Sequence, residues 1–320
     1  MRRTQILIDP AHRNWILGGL FSEVSECDPD FFLSPKIISN IKSKFFLLSI
    51  LNILKIHLQK NPILFSSLTP LENFLKLSKF RSGKKILWFT HQFGEISKKS
   101  ILILLEADLI FVHSEQEKTF LQKNGVTNPI LPLIGAIKPE LFNRLSQNGQ
   151  KIAFIGSATK RKNVEIFLQF AEKNPHLQFK VFGRNWKRED IQTIRENLNN
   201  VEYTKIVRQL NCSDLADCSH HLMISAIEGG PISLIESVAA GLIPICTRTG
   251  IVETFLSECG YSDQIIDFPI DFDMINLKLK NSYSQDQRVF ASKKALAYSI
   301  DTFANNLKLH ITQNCLMKTH

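Results

Sequence analysis

The sequence contains no apolar run long enough to span a bilayer as a helix, which takes about 20 residues. The longest candidate, Phe45 to Leu54, is shorter and is flanked by Lys44 and Lys55. The N-terminus runs directly into a short strand-like segment, without the apolar region and small-residue cleavage site of a secretory signal. We therefore expect a cytoplasmic protein, either free or bound peripherally to the inner face of the membrane.

Signatures of structural metal and of disulfides are also missing. The six cysteines form no Cys-x-x-Cys pair and have no histidine partners at zinc spacing, so we expect reduced thiols. The net charge of +9 is accompanied by no recognised nucleic-acid-binding motif, and we expect no nucleic-acid partner. Anionic lipid and phosphorylated substrates remain as explanations of the charge.

What is present is enough material for two domains. A length of 320 residues with 44% apolar content can bury a core in each of two domains of ordinary size. The polar, turn-rich segment 135–150 is the predicted linker. We expect an N-terminal Rossmann-like domain over residues 1–145, a second domain over 150–290, and a C-terminal helix over 291–320 that crosses back to the first.

The most informative stretch, residues 222–250, is typical of a strand, a turn, a helix and a further strand. Leu222 to Ser225 is a short apolar run, and Glu228-Gly-Gly-Pro231 ends it with turn residues. Pro231 suits the first helical position, and Gly241 is placed to end the helix before the strand Ile243 to Thr247. The pattern predicts half of a parallel α/β unit.

The turn in this stretch predicts an anion site. Glycines before a helix N-terminus allow backbone N–H groups to approach a phosphate, and Gly229 and Gly230 stand there. Glu228 lies at the turn, and Glu236 lies roughly 7.5 Å along the helix axis from Pro231. Two carboxylates that flank a diphosphate site could accept hydrogen bonds from sugar hydroxyls, which favours a nucleotide sugar.

The spacing Glu228-x7-Glu236, with Gly-Gly-Pro after the first glutamate and Ala-Ala-Gly-Leu-Ile-Pro-Ile after the second, resembles the signature of the group 1 (family 4) retaining glycosyltransferases. The alternative is an ordinary Rossmann-type unit with two solvated glutamates. The resemblance implies an α/β protein of GT-B architecture, with two Rossmann-like domains facing across a cleft. It also implies a nucleotide-diphosphate-sugar donor, a glycan or lipid-linked glycan acceptor, retention of configuration, and no cofactor or metal.

The resemblance also implies roles for individual residues. Glu228 would contact the transferred sugar, and Glu236 the ribose. The expected contacts to the rest of the donor are Gly229, Gly230, Pro231 and Ile232.

A basic turn at the start of the second domain is the expected support for the diphosphate. Relatives in this family usually have Gly-Arg here, with a lysine six residues after the glycine; Gly156 and Lys162 match, but Ser157 stands at the arginine position. Either Arg161 or Lys160 supplies the second positive charge, or diphosphate binding is weakened. The alternative is a solvated basic turn.

Two candidates come from the first half. Gly18 and Gly19 precede a predicted helix from Leu20, in the place where a family Gly-Gly loop approaches the donor phosphate and the acceptor. His91 follows the predicted strand Lys85 to Thr90, and in the family a histidine at a comparable strand end contacts the transferred sugar. The alternatives are an ordinary loop and a packing histidine.

Several other hypotheses remain open. Residues 36–60 combine lysines with apolar residues, so this segment is either a domain helix with lysines at its margin or an amphipathic helix on anionic lipid. Asp28-x-Asp30 and Asp271-x-Asp273 match a bare metal-site pattern that we interpret as accidental. A non-catalytic sugar- or lipid-binding protein, or a nucleotide-sugar epimerase or hydrolase, would share the fold.

Overall fold

A computed structural model describes residues 3–8, 16–33, 61–77, 83–89, 96–142, 149–184, 186–206 and 209–316. The chain divides into two compact units. Unit 1 comprises Met1–Ala136 and Ile300–His320, and unit 2 comprises Ile137–Ser299. Residues 291–299 were predicted to be part of the C-terminal helix that crosses back to the first domain, but they belong to unit 2.

Unit 1 is built on a six-stranded parallel sheet with the strand order β2-β1-β3-β4-β5-β6. The strands are β1 (Thr4–Leu7), β2 (Phe31–Leu33), β3 (Ile63–Phe65), β4 (Lys85–Trp88), β5 (Leu109–Val112) and β6 (Ile130–Pro132). Among the described residues, the helices of this unit are α1 (Ile16–Cys27), α2 (Leu68–Leu77), α3 (Lys98–Leu105) and α4 (Glu115–Lys123). The C-terminal helix, α11 (Ile300–Ile311), also belongs to it.

Both faces of this sheet are buried, as is usual for parallel sheets that carry helices on each side. Neighbouring residues of one strand enter opposite cores: Ile6 packs in one cluster and Leu7 in the other. The first cluster includes Trp88, whose ring meets Phe21 of α1 and Phe303 of α11 edge to face. The C-terminal helix is therefore part of the unit 1 core.

The predicted Gly-Gly loop at Gly18 and Gly19 is wrong. Helix α1 begins at Ile16, so both glycines lie inside its first turn. A glycine in a helix costs about 1 kcal/mol relative to alanine. Burial of Phe21 and Val24 on the same helix, both fully enclosed, outweighs that cost.

Unit 2 has a second six-stranded parallel sheet, in the order β9-β8-β7-β10-β11-β12. Its strands are β7 (Lys151–Ser157), β8 (Phe179–Arg184), β9 (Val201–Lys205), β10 (Cys218–Met223), β11 (Ile243–Thr247) and β12 (Ile265–Ile266). Its helices are α5 (Val164–Lys173), α6 (Arg188–Asn197), α7 (Ile232–Ala239), α8 (Val252–Glu258), α9 (Phe272–Leu279) and α10 (Gln285–Leu296).

The strand order of unit 2 is that of the dinucleotide-binding Rossmann fold, in which the chain reverses direction across the sheet between the first and fourth strands. In unit 2 these strands are β7 and β10, which pair directly. Ligands of open α/β sheets collect beyond the carboxyl ends of the strands at this switch point. The loops after β7 and β10 are therefore the first place to look for a site.

The prediction of two parallel α/β units is confirmed. The strand Ile243–Thr247 has the expected bounds, while Gly156 and Ser157, predicted as a turn, are the last residues of β7. Their backbone continues the ladder because they pair with Gly183 and Arg184 of β8. In the described part of the chain, none of the helices has the length and apolar character needed to cross a membrane.

Candidate functional site

The loop after β7 forms a basic 3-10 turn, Lys160–Lys162, that is tied to the segment following β10. The Ala226 N–H donates to the Arg161 carbonyl at 2.7 Å. The side-chain amide of Asn163 donates to the Ile224 carbonyl at 2.8 Å. These two bonds hold the basic turn beside Glu228, at the switch point of the sheet.

Three of the predicted side chains meet there. Arg161 Nη1 lies 2.7 Å from Glu228 Oε1 and also donates to the Ile227 carbonyl at 3.1 Å. Lys162 Nζ forms an ion pair with the same Glu228 oxygen. The side chains of Glu228 and Lys162 are 3% and 8% exposed, whereas Arg161 retains 30% exposure. The site therefore has a buried carboxylate–ammonium pair and a guanidinium that solvent can reach.

The loop that carries Glu228 is held from the other side by the turn after β11. The Glu228 N–H donates to Thr249 Oγ1 at 2.9 Å, and the Ile251 N–H donates to the Gly229 carbonyl at 3.0 Å. Gly250 adopts a φ of +57°, and a β-carbon there would lie 2.1 Å from the Gly229 carbonyl oxygen. Only glycine fits this left-handed position against the loop backbone.

Glu236 lies on α7, which is enclosed on all sides. All eight residues of this helix are buried, and Glu236 itself is 3% exposed. Pro231 was predicted to be the first helical residue of α7, but it is the N-cap. Ile232 is the first residue of the helix. Gly229 and Gly230 directly precede that N-terminus, where backbone N–H groups lack intrahelical partners. An anion bound at this turn would also gain from the helix dipole.

Gly156 packs closely on the basic turn. A β-carbon at Gly156 would lie 3.1 Å from Lys162 Cε, and the Gly156 carbonyl accepts a hydrogen bond from Trp186 Nε1 at 2.9 Å. Ser157 ends the same strand, half-buried. Of the two residues that could replace the missing arginine, Arg161 contacts Glu228 and Lys160 is exposed to solvent.

The first-half candidates all belong to unit 1. Gly18 and Gly19 belong to unit 1, within helix α1, and a β-carbon added at Gly19 would meet no atom of the described residues within 4 Å. His91 lies outside the described residues, and so does the segment 36–60. Their predicted roles therefore stay predictions.

The two Asp-x-Asp motifs have other partners. Asp28 and Asp30 both form ion pairs with Lys308 of α11. Asp271 caps α9 by accepting from the Asp273 N–H at 2.9 Å. Across the described ranges, no group of three or more His, Cys, Asp or Glu side chains is placed to hold a metal ion.

Sequence patterns did not single out several residues that shape the site. Thr249 and Gly250 support the Glu228 loop from the turn after β11, about 20 residues away along the chain, so no local pattern links them to it. His221 of β10 and Ser237 of α7 form a buried hydrogen bond of 2.7 Å next to Glu236. The sequence signal for that pair was weak, because His221 directly precedes the predicted apolar strand Leu222 to Ser225.

The paired histidines of β10 predict a stability that falls in acid. Burial, with Lys162 as the second cause, lowers the pKa of His221 to about 3. Burial, with Arg288 second, lowers the pKa of His220 to about 4. Because unfolded histidine titrates near 6.5, the unfolded state binds more protons below that pH, and each histidine should remove about 1.4 kcal/mol per pH unit as pH falls from 6.5 toward its folded pKa.

This expectation can be measured by denaturant unfolding between about pH 7 and about pH 5. His221→Asn should reduce the slope of unfolding free energy against pH by about 1.4 kcal/mol per pH unit, which corresponds to one proton fewer taken up on unfolding. His176→Asn, at an exposed position, is the matched control. A slope that His221→Asn leaves unchanged would mean that His221 is not held neutral by the fold.

Solved structures define the class of fold. Sucrose-phosphate synthase from Thermosynechococcus elongatus is similar to this chain at 13% identity and a TM-score of 0.74, with 98% of this chain and 99% of that chain covered. Anabaena HepE, in complex with UDP and glucose, is similar at 10% identity and a TM-score of 0.76, covering 98% and 100%. The lipopolysaccharide outer core galactosyltransferase WaaB is similar at 12% and 0.67, covering 97% and 99%. The chain has the GT-B fold of these glycosyltransferases.

The family comparison falls on the second half of the chain. Residues 139–277 match the family model described as glycosyl transferases group 1. This stretch contains Arg161, Lys162, Glu228 and Glu236, and it gives the chain a glycosyltransferase family domain. A search of curated proteins by sequence finds no match.

Proposed function

We propose that the protein transfers a sugar from a nucleotide-diphosphate sugar to an acceptor glycan or lipid-linked glycan, with retention of configuration and without a divalent metal. The observation that carries this proposal is the cluster of Arg161, Lys162 and Glu228 at the switch point of unit 2. The cluster lies at the turn whose next residues, Gly229 and Gly230, precede the N-terminus of α7.

The positive groups stabilise the leaving diphosphate. Negative charge grows on that group as the sugar–phosphate bond breaks, and preorganised donors in a partly enclosed site stabilise it strongly. Arg161, which is partly exposed and can donate several hydrogen bonds, is the side chain best suited to grip phosphate oxygens. Lys162, held in place by Glu228, adds a second fixed positive charge. Together with the Gly229 and Gly230 N–H groups, they supply the charge that a metal would otherwise provide.

The carboxylates have separate roles in this proposal. Glu228, anchored by Thr249 at its backbone, faces the transferred sugar and accepts from its hydroxyls. Glu236, further along α7, accepts from the ribose hydroxyls. Glu228 precedes the helix and Glu236 lies roughly 7.5 Å along its axis from Pro231. This separation matches a ligand in which a diphosphate lies between two hydroxyl-bearing rings.

Similar structures suggest which donor to try first. HepE is solved in complex with UDP and glucose, and the pneumococcal O-GlcNAc transferase GtfA in complex with UDP and GlcNAc. WaaB is a galactosyltransferase of the lipopolysaccharide outer core, which makes a lipid-linked acceptor a reasonable second component. For this chain we propose a UDP-sugar donor and an acceptor reached at an anionic membrane surface through residues 36–60.

One experiment tests the activity. The protein is incubated with a panel of UDP-, GDP- and ADP-sugars and candidate acceptors, and released nucleoside diphosphate is measured with and without EDTA. We expect release from one donor that EDTA does not reduce. Loss of release with EDTA would contradict metal independence, binding without release would indicate a non-catalytic sugar-binding protein, and neither binding nor release from any donor would refute the proposal.

Arg161 should account for much of the diphosphate affinity. We expect Arg161→Ala to raise the Kd for the nucleoside diphosphate about tenfold, because a charge-assisted hydrogen bond is worth about 1.5 to 3 kcal/mol. Lys160→Ala is the matched control, since Lys160 is the adjacent cation of the same turn and is exposed. Titration calorimetry measures both. An equal loss in the two variants would assign the effect to general positive charge.

A further inference from the structure

We infer that His221 is a positioning residue for Glu236, because it ties the helix that carries Glu236 to the strand that leads to Glu228. The inference rests on the proposed function, in which these two carboxylates hold the two ends of the donor. His221 lies on β10, two residues before the strand ends, and it contacts α7 through Ser237.

The hydrogen bond between His221 and Ser237 has a defined direction. His221 Nδ1 lies 2.7 Å from Ser237 Oγ, and the Ser237 hydroxyl donates to the Leu234 carbonyl at 2.9 Å. A hydroxyl has one proton, so with that proton engaged it accepts from His221, and the imidazole carries its proton on Nδ1. The imidazole is neutral in this arrangement, and both residues are completely buried.

This bond is placed to set the position of Glu236. Ser237 follows Glu236 directly on a single rigid helix, so a shift or rotation of α7 at Ser237 moves Glu236 with it. The C-terminal end of α7 is held separately, by Ser292 Oγ to the Ala239 carbonyl at 2.6 Å and Arg288 Nε to the Gly241 carbonyl at 2.8 Å. The last turn of the helix, next to Glu236, is thus also fixed by β10, whose carboxyl end continues to Glu228.

Burial alone does not account for a histidine here. His221 Nε2 is buried and has no hydrogen-bond partner among the described residues, which costs stability. An apolar side chain in the same space would avoid that cost. The directed bond to Ser237 is what histidine adds at this position.

The test compares variants that remove, restore or bypass this bond. We expect His221→Leu and Ser237→Ala each to raise the Kd for UDP, GDP or ADP, whichever the wild type binds, about tenfold, because small misplacements of binding groups are costly. His221→Asn should recover most of the affinity, since its amide can donate from near the Nδ1 position. Ser219→Ala, which removes the 2.8 Å hydrogen bond between Ser219 and His220 on the same strand without removing a contact to α7, is the matched structural control and should leave the Kd unchanged. Loss of affinity in the control equal to that in His221→Leu would overturn the inference.

Hydrogen exchange of α7 amides provides a readout that needs no ligand. Exchange at Glu236 and Ser237 should accelerate in His221→Leu and return toward the wild-type rate in His221→Asn. Unchanged exchange in His221→Leu would overturn the positioning role even if the nucleotide binds. If the wild type binds none of the three nucleotides, the proposed function fails, and the exchange rates still decide whether His221 positions the helix.

Discussion

Glu228→Gln should lower the turnover number about 100- to 1,000-fold, the range found when one preorganised polar group is removed from an active site. The amide has the same shape as the carboxylate but is neutral, so Lys162 and Arg161 lose the negative charge with which they pair. Because both cations remain available to the diphosphate, donor affinity should change much less than turnover. Steady-state kinetics with the donor identified by the panel, together with calorimetric Kd values, measure the two effects separately.

The same substitution should also reduce stability by about 3 kcal/mol, since it leaves the buried ammonium of Lys162 without its counter-charge. Glu253→Gln is the matched control: it removes a carboxylate from unit 2 that pairs with Arg248 at the surface, where an ion pair contributes less than about 1 kcal/mol. A Glu228→Gln protein with normal turnover would refute the catalytic assignment. A loss confined to donor affinity would move Glu228 to a purely binding role.

Gly250→Ala should be among the most destabilising single substitutions in unit 2, at about 3 kcal/mol or more. Its β-carbon would lie 2.1 Å from the Gly229 carbonyl oxygen and 2.3 Å from that of Glu228, and both contacts are backbone atoms. The loop that carries the carboxylate would therefore have to shift, and the contacts of Glu228 with Lys162 and Arg161 would be disturbed. We expect turnover to fall together with stability, as measured by kinetics and denaturant unfolding.

A second glycine separates the two causes of this effect. Gly260 also has a positive φ, +78°, but an added β-carbon there meets no atom of the described chain within 4 Å. Gly260→Ala should therefore cost only the left-handed backbone penalty, about 1 to 2 kcal/mol, with normal turnover. If the two variants lose the same stability and both stay active, the close contact between Gly250 and the Glu228 loop does not constrain the site.

The predictions from the sequence were most accurate for elements whose ends depend on a few neighbouring residues. The proline after Gly229 and Gly230 stands directly before helix α7, because a proline at a helix start acts within a few positions. The strand predicted at Leu222 to Ser225 is instead Cys218–Met223, so the turn residues do not set its end. The apolar strand Ile243–Thr247 was predicted residue by residue, since a run buried on both faces has few alternatives. The same signals failed at Gly18 and Gly19, where packing of Phe21 and Val24 extended the helix over two weak helix formers.

The sequence alone determined the family of the second half, over residues 139–277, and predicted its candidate site residues: Glu228, Glu236, and a basic turn ending at Lys162. These follow from spacing within single segments, which the chain preserves in any fold. Only the tertiary structure decided that Arg161, and not Lys160, is the second cation that meets Glu228 beside Lys162. It also decided that Gly250 and Thr249, in the turn after β11, support the loop, and that His221 joins β10 to α7. Such contacts depend on which strands become neighbours, and a parallel sheet brings together residues that are far apart along the chain.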